Sequence, residues 1–176
     1  MEPRELERFE AVVLPHLDAA YGLARYLMRN DADADDVVQE ALLRALRYFG
    51  GFRGEQASQS RAWVLAIVRN MASTWRRRRR ADEGAAEFDE AVHSETADGE
   101  HPASELDRRD ARETLAQALE RLPRDLREVI VLREIEGLSY KEIGEVVDVP
   151  IGTVMSRLSR ARKRLQAALA ASGEER

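Results

Sequence analysis

An acidic segment between two stretches of helical patterning constrains the fold of this chain more than any other feature. Residues 82–110 contain eleven acidic residues and only two bases, Arg108 and Arg109, which gives a local charge of −9. The segment shows no apolar periodicity, so it cannot bury enough surface to offset the entropy lost on ordering. We therefore predict an all-α protein with two small helical domains, residues 1–81 and 111–172, joined by a flexible acidic linker.

The amino-acid composition favours helices and argues against disulfide, metal and cofactor sites. Hydrophobic residues make up 44% of the chain and charged residues 35%, with many residues that lose little side-chain freedom in a helix. There is no cysteine, and His16, His93 and His101 are scattered, so we expect neither a disulfide nor a bound metal or cofactor. No apolar stretch approaches the ~20 residues that span a bilayer, and the first ten residues are polar. We expect a cytoplasmic protein without membrane insertion.

Two helices are predicted at the N-terminus. Apolar residues recur at helical spacing over residues 9–27, and Pro15 is expected to kink or divide that helix. Asp33 or Asp35 is expected to cap the second helix. The buried stripe of that second helix is predicted to consist of Val37, Val38, Ala41, Leu42, Ala45 and Leu46.

A third helix is predicted after a loop over residues 54–60. Its apolar face is formed by Trp63, Val64, Ile67, Val68, Met71 and Trp75. The other face is small and polar, and residues 61–80 contain seven arginines and no acid. Such a helix is suited to lie along a phosphate backbone, because each neutralised phosphate releases counterions. For the arginine run alone, a solvated helix end is the alternative interpretation.

The C-terminal part predicts a helix-turn-helix. Ser139 and Glu142 have the spacing of a capping box at the start of a short helix, and residues 148–150 form a tight turn before a helix over residues 152–170. The outer face of this last helix carries Ser156, Ser159, Arg160 and Lys163, with Thr153 and Met155 at its edges. Short polar groups and an arginine can reach base edges in the major groove. An ordinary amphipathic helix in a bundle is the alternative.

Two runs of sequence carry a family resemblance. Residues 33–45, DADDVVQEALLRA, form one run, and residues 122–165, from LPRDLREVIV to SRARKRL, form the other. They resemble the polymerase-binding helix and the fourth region of extracytoplasmic-function (ECF) sigma factors. The resemblance implies sigma domain 2 over residues 1–81 and sigma domain 4 over residues 111–172. It also implies an alternative sigma factor that binds core RNA polymerase, recognises −35 and −10 promoter elements and initiates transcription of stress- or signal-responsive genes.

The resemblance further implies which side chains make these contacts. The polymerase clamp is expected to contact Asp36, Gln39, Glu40 and Arg44. The −10 element is expected to contact the loop over residues 52–60 and the third helix through Phe52, Arg53, Arg61, Arg69, Asn70, Ser73, Arg76 and Arg77. The −35 element is expected to contact Thr153, Ser156, Arg157, Ser159, Arg160 and Lys163. An anti-sigma factor is the remaining implied partner, and it would cover both polymerase-binding surfaces.

Three positions depart from the family pattern. Met155 stands where many relatives carry a base, and Ser60 replaces a common aromatic residue of the base-capturing loop. Asp148 stands in the turn where glycine is frequent, and aspartate tolerates left-handed backbone geometry there. Met155 is expected to lack one phosphate or guanine contact of the family pattern, and Ser60 to make the base-capturing loop less apolar; the pattern leaves open whether either residue alters promoter preference.

The residues leave two other functional classes as alternatives. A stand-alone helix-turn-helix regulator, such as a dimeric repressor, would give the acidic helix over residues 33–47 no role. An enzyme that acts on nucleic acid would need a P-loop, a nucleophile with its base or a carboxylate cluster. Asp35, Asp36 and Glu40 come closest to a metal site, but an exposed acidic helix face is far commoner than a two-metal centre. We therefore expect no catalytic activity.

Overall fold

The computed structural model of the protein describes residues 3–28, 30–54, 56–82 and 103–174. Within these ranges every regular element is a helix, which confirms the all-α prediction. Most of the predicted acidic linker falls in residues 83–102, which lie outside the described residues.

The first predicted helix is divided at its proline. Helix α1 (Pro3–Val13) and helix α2 (Leu17–Met28) are separated by a 3₁₀ turn, Leu14–His16, with Pro15 at its start. Proline has no amide hydrogen to donate in a helix interior, so the regular hydrogen-bond ladder stops there. The division predicted at Pro15 is confirmed.

Helix α3 (Asp31–Tyr48) is capped by Asn30 rather than by Asp33 or Asp35. The Asn30 side chain accepts a hydrogen bond from the Asp33 amide at 2.7 Å, and its Nδ2 donates to the Asp33 carboxylate at 2.6 Å. The predicted caps are therefore wrong, because the extended backbone that a cap requires lies at Asn30. The predicted stripe is confirmed, with Leu42 and Leu46 partly buried and the other four residues fully buried.

The loop before helix α4 (Ala57–Asp82) is shorter than predicted. A 3₁₀ turn, Phe49–Gly51, follows α3, and α4 begins at Ala57 instead of after residue 60. The Ser60 amide and hydroxyl both donate to the Gln56 carbonyl, at 3.1 and 3.2 Å, and Ser60 is buried. Ser60 thus belongs to the first turn of α4 and not to an open loop.

Helix α5 (Ala103–Glu120) begins inside the segment predicted to be a flexible linker, so that prediction is wrong for residues 103–110. This stretch lacks an apolar stripe but is rich in helix-forming residues. The pair Arg109–Glu113, at 3.3 Å and one turn apart, adds modest support. Leu115, predicted on the apolar face, is exposed, whereas Ala118 and Leu119 are buried as predicted.

Helix α6 (Arg124–Ile130) continues into a π-helical turn, Val131–Ile135, and ends at Gly137, whose φ of +68° suits glycine. Buried Arg127 fixes the bend between α5 and α6. Its guanidinium donates to the carbonyls of Leu119, Glu120 and Leu122 at 2.8, 2.5 and 2.9 Å. These carbonyls stand where a helix end leaves its acceptors without intrahelical donors.

The predicted helix-turn-helix is confirmed in its elements. Helix α7 (Tyr140–Val147) starts with the complete Ser139–Glu142 capping box, and helix α8 (Ile151–Glu174) follows a three-residue turn. Asp148 adopts left-handed geometry with φ 55° and ψ 54°, as predicted. The predicted core stripe of α8 is also confirmed, with Val154, Leu158 and Ala161 buried and Leu165 partly buried.

The two domains pack directly against each other, which the sequence pattern did not predict. Helix α4 packs on α7, and α2 packs on α6, so the buried residues of both domains form one continuous cluster. Leu65 and Ala72 of α4 are fully buried although they lie outside its predicted apolar face. Helix α4 is thus covered on two sides, by its own domain and by the C-terminal domain.

We predict that Ser139→Ala lowers the free energy of unfolding by about 1 kcal/mol at pH 7, the usual effect of removing a helix cap. Hydrogen bonds with Ser139 lower the pKa of Glu142 below its usual value of 4.5. Their contribution is therefore present above pH 4.5 and is lost as the pH falls through the depressed pKa.

Urea titrations followed by circular dichroism at several pH values measure this difference in stability. Ser156→Ala, at an exposed position within α8, is the control. An unchanged gap between wild type and Ser139→Ala down to pH 3 would contradict the proposed role of the carboxylate.

Candidate nucleic-acid and polymerase interfaces

The outward face of α3 combines charged and apolar groups. Asp36, Gln39 and Arg44 are exposed, and Glu40 is half-buried beside Arg78 at 3.7 Å. Leu43 and Tyr48, with 66% and 57% exposure, share the surface of this helix. The polar residues are those predicted to meet polymerase; the two apolar residues were missed because their spacing does not follow the core stripe. Leu43 lies on the same side of the helix as Asp36, seven residues earlier, whereas the Tyr48 ring lies beside the Arg44 guanidinium at 5.6 Å.

The basic end of α4 is partly neutralised by α3. Arg79 pairs with Asp33, and Arg78 pairs with Glu40. Arg77 is exposed on the same helix end. Such exposed pairs contribute at most about 1 kcal/mol each, so an anionic ligand such as DNA can displace the acids at low cost.

Phe52, predicted to contact the −10 element, lies in an aromatic cluster instead of on the surface. Its ring is 4.7 Å from Trp63 and 6.1 Å from Phe49, centroid to centroid, and the residue is 7% exposed. Arg53 is exposed, and its guanidinium donates to the carbonyls of Gly50 and Phe52 at 2.6 and 3.2 Å. In this arrangement Phe52 anchors the loop and offers no ring face to a base.

Residues 61, 65, 69 and 73 form one ridge of α4, since they are spaced four apart. Arg61 donates to Glu136 at 3.1 Å, and Arg69 donates to Glu128 at 3.3 Å. Ser73 accepts from Arg124 at 3.3 Å. All three polar residues of the ridge were predicted to bind the −10 element, and all three contact the C-terminal domain. Asn70, beside the ridge, is exposed and accepts a hydrogen bond from Arg69 at 3.4 Å.

The surroundings of Glu136 show how closely the domains approach. Burial raises the pKa of the Glu136 carboxyl above its usual range, and the hydrogen bond from Arg61 opposes that shift. Burial, assisted by the charge of Glu136, raises the pKa of Tyr26. Burial, assisted by the charge of Arg61, lowers the pKa of His16. These groups come from α2, the turn before it, α4 and the end of the π-helical turn.

The outer face of α8 is open. Ser156, Ser159, Arg160 and Lys163 are all exposed, as predicted, and Thr153 is partly buried at the edge. Arg160 donates a hydrogen bond to the Ser156 carbonyl of its own helix at 3.4 Å. Arg157, also predicted to contact the −35 element, is directed toward α6 and pairs with Asp125 at 3.7 Å. Ile151 and Met155 add 48% and 52% exposed apolar side chains near the start of the helix.

Among the described residues, no group of three or more histidines and acids is placed to hold a metal ion. No helix in the described ranges is both long enough and apolar enough to cross a bilayer.

Comparison with known proteins identifies the family. The pattern of Sigma-70 region 2 matches residues 12–81, and that of Sigma-70 region 4 matches residues 112–165. The RNA polymerase sigma-H factor of Pseudomonas aeruginosa is 38% identical over 168 residues, which cover 92% of this chain and 86% of that protein. The ECF RNA polymerase sigma-E factor of Haemophilus influenzae is 39% identical over 155 residues, 82% of this chain and 77% of that one. The chain belongs to the ECF sigma factors.

Solved structures agree with this assignment. The sigma factor RpoE from Bartonella quintana, solved in complex with the anti-sigma factor NepR, superposes on this ECF sigma factor with a TM-score of 0.76 and 29% identity. That match covers 93% of this chain and 98% of RpoE. CnrH, solved with the cytosolic domain of CnrY, gives a TM-score of 0.65 and 27% identity over 94% of this chain and 90% of CnrH.

Family membership decides between the functional classes considered from the residues. The match to region 2 accounts for the acidic helix that a stand-alone helix-turn-helix regulator leaves unexplained. Sigma factors are regulators of transcription and not enzymes. The predicted site residues of this ECF sigma factor lie in three regions: α3, α4 with the loop before it, and α8.

We predict that Phe52→Ala lowers the free energy of unfolding by about 3 kcal/mol, because a buried aromatic side chain leaves a cavity when truncated. Thermal and urea denaturation measure the loss. Tyr48→Ala, which removes an exposed aromatic ring from the preceding helix, is the matched control and should change stability by less than about 0.5 kcal/mol. Equal effects of the two substitutions would contradict a structural role for Phe52.

Proposed function

We propose that this ECF sigma factor binds core RNA polymerase through α3 and directs it to promoters that α4 and α8 recognise. The observation that carries the proposal is the open, polar and basic face of α8, which follows a helix-turn-helix turn and faces away from the core. Within the cytoplasm, where polymerase and chromosome meet, the protein would select a signal-responsive set of genes.

Recognition of the −35 element is assigned to the first half of α8. In helix-turn-helix proteins the N-terminal residues of the second helix contact base edges in the major groove. Ser156, Ser159 and Arg160 are exposed there, and arginine can make paired hydrogen bonds to guanine. Lys163, one turn further along, suits a phosphate, which positions the helix without specifying sequence.

Recognition of the −10 element is assigned to α4 and to Arg53. Extruding a base from the duplex costs a few kcal/mol, which contacts to the extruded base and to the backbone must offset. Asn70 is exposed for a contact to the base, and Arg76 and Arg77 lie further along α4 toward its basic end. Phe52 is proposed to act through the loop that it anchors, since its own ring is buried.

Control by an anti-sigma factor is proposed from the structural relatives. RpoE was solved with NepR and CnrH with the cytosolic domain of CnrY, and each superposes on most of this chain. The exposed apolar residues Leu43 and Tyr48 on the α3 face are suited to either protein partner, polymerase or inhibitor. A shared surface would make the two partners compete.

We predict that Arg160→Ala weakens binding to the −35 element by about 1–3 kcal/mol and relaxes base preference at one position. Lys163→Ala should instead weaken binding to all sequences by a similar factor. It should also reduce the slope of log affinity against log salt concentration by about one. Fluorescence anisotropy with a duplex library at several salt concentrations measures both quantities.

Arg162→Ala is the matched control for this prediction, because Arg162 lies two residues from Arg160 and therefore on a different side of the same helix, where it faces Glu134 at 2.7 Å. It should change affinity least of the three. If Arg160→Ala leaves the base preference unaltered, α8 does not read the −35 element through this side chain.

We predict that Asp36→Lys reduces affinity for core polymerase at least about tenfold, because charge reversal at a docking surface costs more than loss of one contact. Pull-down and start-site sequencing with core polymerase measure binding and promoter selection together. Glu10→Lys, an exposed charge reversal on α1, is the control. A wild-type protein that neither binds core polymerase nor selects start sites would rule out the proposed function.

A further inference from the structure

The first turns of α8 carry exposed apolar side chains beside the residues that are proposed to read the −35 element. Ile151 and Met155 are 48% and 52% exposed, whereas the core stripe of the same helix is buried. We propose that Met155 contacts the C5-methyl group of a thymine in the −35 element and so makes one promoter position specific for thymine. This inference rests on the proposed function, because it requires α8 to enter the major groove of that element.

Met155 belongs to a row of side chains that runs along the outer flank of α8. Residues four apart are neighbours on a helix surface, with steps of about 6 Å along the helix axis. The row consists of Ile151, Met155, Ser159 and Lys163, and all four residues are exposed. Along the row the side chains change from apolar to hydroxyl to ammonium. The last two are already assigned to DNA, and Met155 stands one turn before them, nearer the helix end that enters the groove.

The chemistry of methionine selects the group that this side chain can recognise. A thioether has no hydrogen to donate and is only a weak acceptor, so Met155 can neither hold a phosphate nor pair with guanine as an arginine does. In the major groove, thymine presents an apolar group, its C5-methyl, which the other bases lack. Contact between the thioether and the methyl group removes apolar surface of both from water. The unbranched methionine side chain can adjust its torsions to make this contact.

The charge of α8 favours DNA over a protein as the partner of this apolar surface. Residues 150–165 contain five bases and no acid. Counterion release draws such a helix onto a phosphate backbone, so the exposed side chains of its first turns are brought into the groove. Arg162, on the same side of α8 as Met155 but two turns further along, pairs with Glu134 at 2.7 Å. The apolar part of the flank therefore lies where helix-turn-helix proteins contact base edges.

Ile151 is placed to support Met155. It lines the cleft beside the helix-turn-helix turn together with Val149 and Pro150. Its β-branched side chain has few rotamers, and it lies one turn before Met155 on the same row. A stiff apolar neighbour on that side shields the thioether from water.

Met155 and Arg160 would read different positions of the −35 element. Five residues separate them, which places their side chains about 140° apart around the helix axis. The thymine is therefore expected at a position other than the one at which Arg160 determines the base. Substitution of Met155 should leave the preference at the Arg160 position unchanged.

The experiment uses the full chain bound to core polymerase and double-stranded promoter fragments found by start-site sequencing. Each thymine of the −35 element, on either strand, is replaced in turn by deoxyuridine, which lacks the methyl group but keeps every hydrogen-bonding group. Competition against a labelled fragment, at a low temperature where the promoter stays closed, measures the relative affinities. For wild type we expect one replacement to weaken binding about fourfold, the effect of one buried methyl group.

Met155→Ala should bind the thymine and deoxyuridine fragments equally, because the side chain that contacts the methyl group is gone. Met155→Arg should shift the preferred base at that position from thymine toward guanine, with which arginine forms paired hydrogen bonds. Leu169→Ala is the matched control, since it removes an exposed apolar side chain from the far end of α8. It should retain the fourfold discrimination.

Met155→Gln keeps the length of the side chain and makes its end polar. It should lose the discrimination between thymine and deoxyuridine in the same way as Met155→Ala. This variant decides the question if the alanine variant does not fold, as circular dichroism would reveal.

Equal affinity of wild type for every thymine and deoxyuridine fragment would overturn the inference, and so would discrimination that persists in Met155→Ala. Weaker binding of Met155→Ala to core polymerase, with the discrimination intact, would show that the apolar side chains meet a protein instead. If wild type selects start sites without discriminating the methyl group, only this inference is wrong. If wild type neither binds core polymerase nor selects start sites, the proposed function fails, and the inference fails with it.

Discussion

The buried carboxylate of Glu128 is the constraint around which the two domains are arranged. A desolvated charge requires charged partners, and Glu128 takes Arg124 from its own helix and Arg69 from α4. Removing either arginine would leave a buried charge partly compensated, so the orientation of α6 against α4 is tied to this group. The neighbouring pair of Arg61 and Glu136 fixes a second point on the same ridge. Two such points define how the C-terminal domain lies along the helix.

Helix α4 serves three purposes with three faces. One face, which includes Val64 and Val68, is buried in the core, and another contacts the C-terminal domain through Arg61, Arg69 and Ser73. The basic end lies beside the acids of α3 and is suited to phosphate. Because one helix carries all three faces, side chains that are proposed to bind DNA also contact the C-terminal domain.

Local patterns predicted the helices well and their ends less well. The capping box at Ser139 and the turn at Asp148 depend on neighbouring residues only, and both were predicted correctly. The cap of α3 was assigned to the wrong side chain because Asn30, Asp33 and Asp35 all suit a cap, and only the path of the chain decides among them. The start of α5 was missed because residues 103–110 form a helix without an apolar stripe. Phe52 was predicted to contact the −10 element. The order of residues along the chain does not reveal that its ring packs against Trp63.

The sequence by itself determined the all-helical class, the helix-turn-helix and the family, because periodicity, caps and motif spacing are properties of short segments. It also determined which residues face outward on α3 and α8. Only the tertiary structure decided that the domains pack together and that Arg61, Arg69 and Ser73 meet Glu136, Glu128 and Arg124. Those partners are more than fifty residues apart along the chain. Charge patterning reveals that such groups exist, but their pairing depends on how two folded surfaces fit together.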